Sequence, residues 1–303
     1  MTGGKGMRIA VASGKGGAGK TTVTASLALV WESPCVVVDA DVEAPNLHLF
    51  MEPQVINSVP VNLEVPILDQ ERCNLCGACR DVCRFKAIAK FGQKLSLFPD
   101  MCHGCGGCFA ACPEGALLSG ERRLGDLEAG TTLNGRHGFL MGRARIGEAM
   151  TPPQLRALRS RLDAMLEDGG FSDALLDAPP GVSCPAMTVA RDVDVILLAA
   201  EPTPFGIHDF KLAHRAFQPL KKHLAVVINR AGMPGNQAGD NQLRDYCRSC
   251  ALPVLAELPF DRAVAEHYAK GRIIASLSPE WHERFAALRD ALRVFWSKEF
   301  SHA

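Results

Sequence analysis

The chain has 303 residues, 47% of them hydrophobic, and its 33 basic side chains balance its 33 acidic ones. This length can bury one large α/β domain or two domains, and the balanced charge gives no reason to expect a surface that binds a polyanion such as a nucleic acid. No segment approaches the roughly 18 uninterrupted apolar residues of a transmembrane helix, and the N-terminal segment has no apolar signal-peptide core. We therefore expect a cytoplasmic protein.

A glycine-rich loop near the N-terminus is the first motif with a specific chemistry. It covers residues 13–22, follows a predicted buried strand at residues 7–12 and leads into a predicted helix at residues 23–31. Its glycines allow backbone amides to surround phosphate groups, Lys20 can reach the outer phosphates, and the Thr21 hydroxyl can bind magnesium. This context favours a phosphate-binding loop over a chance glycine turn. The predicted nucleotide-binding residues are Gly14, Gly16, Gly17, Gly19, Lys20, Thr21 and Thr22.

Two aspartates follow the next predicted strand. Asp39 and Asp41 close an apolar run at residues 35–40. Because the C-terminal ends of parallel strands meet at one edge of a sheet, we expect these carboxylates beside the phosphate loop. The alternative is that they cap the segment that follows. Beyond them, residues 58–66 contain prolines and have no clear period, and we interpret them as a linker into a different module.

The cysteines are concentrated in one segment of the chain. Eight of the 12 lie between residues 73 and 112, and such clustering in a reducing compartment indicates metal ligands rather than disulfides. Each half of this segment has the C-x2-C-x2-C-x3-C spacing of bacterial ferredoxins, and Pro113 follows the second run. The spacing favours [4Fe–4S] clusters over zinc, whose sites usually combine two separated ligand pairs.

The resemblance to two-cluster ferredoxins implies how each cluster is held, because in those proteins the fourth cysteine of each run binds the other cluster. By this rule one cluster would be held by Cys73, Cys76, Cys79 and Cys112. The second would be held by Cys102, Cys105, Cys108 and Cys83. We interpret Cys184 as a buried or interface thiol, with a ligand of a third cluster as the alternative, and Cys247 and Cys250 as packing or incidental thiols.

The second half of the chain alternates predicted strands and helices. Residues 120–150 are polar and glycine-rich, and we interpret them as the return from an insertion, partly in strands that cover the main sheet. One later strand ends at Asp177 before a turn at Gly181, and another ends at Asn229. Residues 279–300 form a predicted amphipathic helix that docks on the protein's own sheet rather than on a membrane.

These motifs together resemble the MinD-superfamily P-loop ATPases, which include the MinD and Mrp ATPases and the nitrogenase iron protein. Lys15 directly follows the first loop glycine, as in their GKGGxGKT loop, and the VVVDADVEAPNLHLF segment resembles their first switch. The resemblance implies that Lys15 reaches across a dimer to the partner's nucleotide, so that hydrolysis is slow and switch-like. It also implies that Asp41 orients the attacking water and that Asp39 lies near the magnesium, which completes a catalytic set with Lys20. The alternative for Lys15 is a solvated loop lysine.

The resemblance extends to the later strand ends. The DAPPG segment is similar to the DxPPG of the Mrp branch, which implies that Asp177 holds magnesium through water and that the Gly181 amide senses the γ-phosphate. Asn229, with Arg230 beside it, is similar to the residue that contacts adenine in MinD relatives. The alternative for Asn229 is a turn residue at a strand end.

The predicted fold is α/β. A P-loop NTPase domain, with a mostly parallel sheet flanked by helices, is expected to comprise residues 1–62 and 120–303. A bacterial-ferredoxin-like α+β module at residues 63–119 is expected to interrupt it. The expected cofactors are ATP or ADP, Mg²⁺ and two [4Fe–4S] clusters. The leading function is an ATPase switch, a homodimer or a heterodimer with a sister ATPase, that delivers electrons to a partner protein or regulates it. One alternative is an ATP-dependent carrier that passes clusters to an acceptor, and another is a partitioning or scaffold ATPase with structural clusters.

Overall fold

A computed structural model of the protein describes the backbone of residues 6–300 and the side chains of residues 6–297. The strands are β1 (Arg8–Ala12), β2 (Cys35–Asp39), β3 (Gln54–Leu68), β4 (Ile88–Phe91), β5 (Lys94–Leu97), β6 (Leu117–Thr132), β7 (His137–Ala144), β8 (Asp173–Asp177), β9 (Val195–Ala200), β10 (His223–Ala231) and β11 (Val254–Pro259). The α-helices are α1 (Lys20–Val30), α2 (His48–Met51), α3 (Ala78–Val82), α4 (Gly107–Ala111), α5 (Pro152–Glu167), α6 (Cys184–Arg191), α7 (Pro204–Phe217), α8 (Gln237–Ser249), α9 (Arg262–Tyr268) and α10 (Pro279–Phe300).

The centre of the fold is a nine-stranded sheet in the order β11-β10-β9-β1-β8-β2-β7-β6-β3. Neighbouring strands from β11 to β7 run parallel, whereas β6 is antiparallel to both β7 and β3. The central strands are buried apolar runs, as expected when helices cover both faces of a parallel sheet. The predicted α/β fold with a mostly parallel sheet is therefore confirmed.

The antiparallel edge of the sheet differs from the prediction. Residues 58–66 are not a linker, because they lie inside the 15-residue strand β3, where Val61, Leu63 and Val65 are buried at alternating positions. The prolines of this segment are tolerated because β3 is an edge strand, which can lack a backbone donor on its open side. Residues 120–150 do not cover the sheet, since β6 and β7 extend it by direct pairing.

The segment that carries the eight clustered cysteines lies between the end of β3 and the start of β6, and we call residues 69–116 the cysteine module. It contains the two-stranded sheet β4-β5 and the short helices α3 and α4. Each of these helices starts after a glycine with positive φ, Gly77 at 85° and Gly106 at 73°. The predicted module limits, 62/63 and 119/120, fall inside β3 and β6, so the module leaves the sheet later and returns to it earlier than predicted.

Two apolar cores fill the space on either side of the sheet. One lies under α5 to α8, and the other lies under α1 and α10. Helix α10 buries Trp281, Phe285, Leu288 and Leu292 in the second core, which is the docking on its own domain that its pattern predicts. Within the described part of the chain, no helix has the length and apolar character to cross a membrane.

Candidate functional site

The phosphate loop connects β1 to α1 at the C-terminal edge of the parallel strands. Glycine is required at two of its positions. A Cβ at Gly19, which has φ +97°, would lie 2.2 Å from Asn229 Nδ2, and a Cβ at Gly14 would lie 2.0 Å from the Asp209 carbonyl oxygen. The loop is therefore packed closely against neighbouring elements and cannot accept larger side chains without moving them.

A cleft of about 370 Å³ opens beside this loop. Most of the predicted nucleotide-binding residues line it. Asp41, from the loop that follows β2, and the aromatic residues Phe260 and Tyr268 also line it. The predicted residues on the cleft are Gly16, Gly17, Gly19, Lys20, Thr21, Thr22, Asp41, Asp177, Asn229 and Arg230. Gly14, Lys15, Asp39 and Gly181 do not line the cleft. The Gly181 amide instead donates to the Ser13 carbonyl oxygen at 3.0 Å.

Three side-chain oxygens meet at the inner end of the cleft. Thr21 Oγ1 lies 2.5 Å from Asp177 Oδ2 and 2.9 Å from Asn46 Oδ1, and a hydroxyl has only one proton to donate. Asp177 Oδ1 is buried and has no hydrogen-bond partner among the described residues. A set of hydroxyl, amide and carboxylate oxygens suits Mg²⁺, which binds oxygen ligands. The donor set therefore fits the predicted magnesium, and Asn46 is a member that the sequence did not reveal.

Asp39 is held by the backbone of the loop that follows β2. Its side chain is fully buried and accepts hydrogen bonds from the backbone N–H groups of Asp41 at 3.1 Å, Asn46 at 2.9 Å and Leu47 at 2.9 Å. Burial raises the pKa of Asp39, with neighbouring Asp177 acting in the same direction and the backbone donors opposing it. Asp39 thus organises the loop that carries Asp41 and Asn46, as the capping alternative expects, and its position near the magnesium stays a prediction.

Lys20 is the central cation of the site, and its side chain is largely buried. Burial lowers the pKa of Lys20, and the carboxylates of Asp177, Asp41 and Asp39 act in the opposite direction. Burial also raises the pKa of Asp41, against the effect of Lys20. The cleft therefore combines a buried ammonium group with several acidic side chains, which is the charge arrangement needed to bind both phosphate and a divalent cation.

Lys15 is ion-paired within its own chain rather than solvated. Its Nζ lies 3.0 Å from Glu201 Oε2, and Arg230 contacts the other oxygen of Glu201 at 2.7 Å. Burial acts to raise the pKa of Glu201, but the two cations outweigh it and lower the pKa, so the carboxylate is ionised at neutral pH. Asn229 Nδ2 donates to the Ala18 carbonyl oxygen at 3.0 Å, which links β10 to the phosphate loop. Glu201 is a second functional candidate that the sequence did not reveal.

The eight clustered cysteines line two separate cavities of the cysteine module. One cavity is lined by Cys83, Cys102, Cys105 and Cys108. The other is lined by Cys73, Cys76, Cys79 and Cys112. Among the described residues, no three His, Cys, Asp or Glu side chains converge closely enough for a single metal ion. Each cavity therefore presents four thiol groups, which is the number of cysteine ligands that a [4Fe–4S] cluster takes.

The three remaining cysteines of interest differ in exposure. Cys247 is 1% exposed and packs in the core, and burial raises the pKa of its thiol to about 11, so it is an inert packing residue. Cys184 and Cys250 are exposed. The interpretation of Cys184 as a buried thiol is therefore wrong for the single chain, and its interpretation as an interface thiol stays a prediction.

Comparison with known proteins identifies the family. Residues 9–274 match the family described as the CobQ/CobB/MinD/ParA nucleotide binding domain. The chain belongs to this family. It is therefore a nucleotide-binding protein of the MinD/ParA type, whose P-loop ATPases hydrolyse ATP.

The similar proteins span nearly the whole chain. An uncharacterized protein of Methanocaldococcus jannaschii is 28% identical over 293 residues, which cover 95% of this chain and 97% of that protein. A second uncharacterized protein of the same organism is 26% identical over 272 residues, 88% of this chain and 90% of that protein. Both relatives are matched over most of their length, so the similarity is not limited to the phosphate loop.

Solved structures share the fold at low sequence identity. MinD from Pyrococcus horikoshii, solved with Mg-ADP, is 18% identical with a TM-score of 0.55 and covers 94% of this chain and 95% of its own. A McdA–ATP complex from Cyanothece is 16% identical with a TM-score of 0.58 and covers 95% and 97%. MinD from Aquifex aeolicus is 15% identical with a TM-score of 0.57 and covers 95% and 96%. These likenesses establish the MinD-like fold.

Proposed function

We propose that this protein is a dimerising ATPase switch whose cysteine module carries two [4Fe–4S] clusters, and that nucleotide state gates electron delivery to a partner protein. The observation that carries the proposal is the grouping of the eight cysteines. Four thiols line each of two cavities, and the two sets are the ones that the ferredoxin rule assigns to two clusters. The partner would be a redox protein, and the ATPase would act as a homodimer or with a sister ATPase.

The nucleotide half of the proposal uses the residues of the cleft. The loop amides and Lys20 bind the phosphates, and Thr21 with Asp177 holds Mg²⁺, which neutralises phosphate charge when it is bound. Asp41 lines the same cleft and would orient the attacking water. Asn229 and Arg230 would contact the base from the opposite side.

Hydrolysis would be slow and switch-like because it would require two subunits to come together. Lys15 lies outside the cleft of its own chain and is ion-paired with Glu201. It would have to leave Glu201 before it could contact the nucleotide of another subunit. A second subunit whose Lys15 reaches across would complete the site. Such a dependence couples ATP binding to closure of the dimer, because the ligand that binds the closed form more tightly favours that form.

The redox half of the proposal uses the cysteine module. The eight thiolates would hold the clusters, each of which can exchange one electron when bound. Several module glycines have positive φ, including Gly77, Gly104 and Gly106, a backbone conformation that favours glycine. The Gly104 amide donates to Cys102 Sγ at 3.4 Å. Hydrogen bonds of this kind to sulfur tune a cluster's potential.

A second candidate is an ATP-dependent carrier that passes its clusters to an acceptor protein. The observation in its favour is that Cys76 and Cys105, one from each set of four, are exposed. An exposed ligand can exchange with a thiol of another protein. Cluster transfer to an apo acceptor that depends on ATP would support this function over the first.

The proposal is tested by reconstituting the full chain anaerobically with iron and sulfide and measuring its iron content and EPR spectrum. Two cubane clusters require about eight irons per chain and reversible reduction at low potential. Zinc in place of iron, or iron that cannot be reduced, would overturn the redox proposal. ATP binding is measured separately by calorimetry, with Lys20→Ala as the variant that is expected to lose it.

A further inference from the structure

One residue of the main sheet joins the cysteine module to the loop that follows β7. The side chain of Arg122, on β6, is only 8% exposed and pairs with Glu148, whose side chain is 4% exposed. Its other terminal nitrogen donates to the Cys102 carbonyl oxygen at 3.4 Å. Arg122 therefore stands between a module cysteine and the loop that follows β7.

The loop that follows β7 makes further contact with the same side of the module. Arg145 contacts Asp100 at 3.1 Å, and Met150 packs with Cys102 on a small apolar cluster of Leu63, Val65 and Leu124. In the described structure, no hydrogen bond or ion pair connects this loop with the residues that line the other cavity, among them Cys76 and Cys112.

The end of β7 also contacts the loop that carries Asp41. The Ala144 amide donates to the Val42 carbonyl oxygen at 2.8 Å, and a Cβ placed on Gly142 would lie 2.5 Å from Val42 Cγ1. Val42 directly follows Asp41, which lines the nucleotide cleft. Directly after the end of β7, the Arg145 amide donates to the Leu124 carbonyl oxygen at 2.8 Å. The segment that touches the cleft loop is thus continuous with the segment that holds the module.

We propose that Arg122 is a positioning residue that fixes the Cys102 side of the cysteine module to the β7 end, so that nucleotide binding changes the cavity of Cys83, Cys102, Cys105 and Cys108. The opposite cavity lacks these contacts and does not respond. This inference rests on the proposed nucleotide-dependent function, and it adds which of the two cavities receives the signal. A closely packed contact of this kind transmits small shifts because its parts move as a unit.

The test compares the full-length wild type with two variants by hydrogen–deuterium exchange, with and without Mg²⁺ and a non-hydrolysable ATP analogue. One variant combines Arg122→Met with Glu148→Leu, which removes both buried charges and leaves neither unpaired. The matched control is Arg123→Met, since Arg123 is 61% exposed and pairs with Asp126 rather than with the module. If the double variant does not fold, Gly142→Ala perturbs the same connection at its Val42 end.

In the wild type and in Arg123→Met, the analogue is expected to slow exchange in the phosphate loop at residues 13–22 and in the module at residues 99–104. Residues 72–78, on the opposite cavity, are expected not to change. The double variant keeps the protection of the phosphate loop and loses the effect at residues 99–104. The inference is overturned if residues 99–104 ignore a bound analogue in the wild type, or if the double variant responds as the wild type does.

Spectroscopy supplies a second readout. In reconstituted protein, the ATP analogue is expected to shift the EPR signal of one cluster, and the double variant is expected to lose that shift. The single variant Arg122→Lys, which keeps a cation near Glu148, is expected to retain part of the EPR shift. Because the exchange measurement does not require clusters, failure of the Arg122 inference can be distinguished from failure of the cluster proposal. Protein that binds no iron but shows the exchange effect refutes the cluster proposal alone.

Discussion

Glu201 holds Lys15 within its own subunit, so replacing Glu201 with Gln is expected to strengthen the ATP-dependent dimer. In the single chain Lys15 Nζ lies 3.0 Å from Glu201 Oε2, and the Glu201 side chain is only 8% exposed. In the proposed dimer Lys15 leaves this carboxylate and reaches the partner's nucleotide. Each subunit must therefore break one ion pair before the dimer closes.

The size of the effect follows from the number of pairs that are broken. An ion pair between partly exposed side chains contributes up to about 1 kcal/mol. Two subunits lose about 2 kcal/mol in total, which corresponds to about a 30-fold change in the dimer dissociation constant. Glu201→Gln removes the charge while keeping an acceptor for Arg230, which contacts the other oxygen at 2.7 Å. The variant should therefore fold and should release Lys15.

The assay is sedimentation velocity across a concentration series, with Mg²⁺ and a non-hydrolysable ATP analogue. The matched control is Glu257→Gln, because Glu257 pairs with Arg244 at 2.6 Å and does not contact the phosphate loop. The control should dimerise as the wild type does, and Lys15→Ala should stay monomeric at all concentrations. The reasoning is refuted if Glu201→Gln dimerises no more tightly than the wild type.

Three further substitutions test the magnesium site, the cysteine cavities and the pH dependence of stability. Asn46→Ala removes an oxygen next to Thr21, so Mg²⁺-dependent ATP affinity should fall about tenfold in calorimetry, while affinity in EDTA should not change. Cys108→Ala should lower the iron content by about half, whereas Cys250→Ala, outside both cavities, should not. Burial lowers the pKa of His137 from 6.5 to about 4 in the folded protein. The folded state therefore keeps its full stability above pH 6.5 and loses stability as the pH falls below that value, because the unfolded chain binds a proton that the folded chain does not. The wild type should lose about 1.3 kcal/mol of unfolding free energy from this residue between about pH 7.5 and 5.5, and His137→Asn should not.

Each of these predictions has a specific contrary result. Equal loss of ATP affinity with and without EDTA would mean that Asn46 contacts nucleotide rather than metal. Iron loss in Cys250→Ala as large as in Cys108→Ala would place the clusters elsewhere. Chemical denaturation, followed by tryptophan fluorescence to which the buried Trp31 contributes, measures the pH effect. Parallel pH curves for the wild type and His137→Asn would show that His137 does not govern acid sensitivity.

Local spacing explains what the sequence could predict. The phosphate loop is recognisable because strand, glycines, Lys20 and Thr21 are adjacent in the chain, and their chemistry requires that order. The cysteine runs are recognisable for the same reason. The parallel strands are recognisable because each is a short apolar run that is buried on both faces, as Val36, Val37 and Val38 are in β2.

Long-range contacts explain what the sequence could not predict. The pairing of β3 with β6 joins residues such as Leu63 and Arg122, and the exposed first half of β3 has no apolar alternation to reveal it. Glu201 and Asn46 lie far along the chain from Lys15 and Thr21, and only the fold brings them together. The position of Asp39 in the chain likewise does not show that its oxygens accept hydrogen bonds from the backbone of the following loop.

The most direct test of the central claim is an anaerobic redox titration followed by EPR. The reconstituted protein is titrated without nucleotide, with Mg-ADP and with a non-hydrolysable ATP analogue. We expect about eight irons per chain, as two cubane clusters require, and a midpoint potential or spectrum that changes between the ADP and ATP states. Clusters whose potential and spectrum are the same in all three states would contradict nucleotide gating of electron transfer.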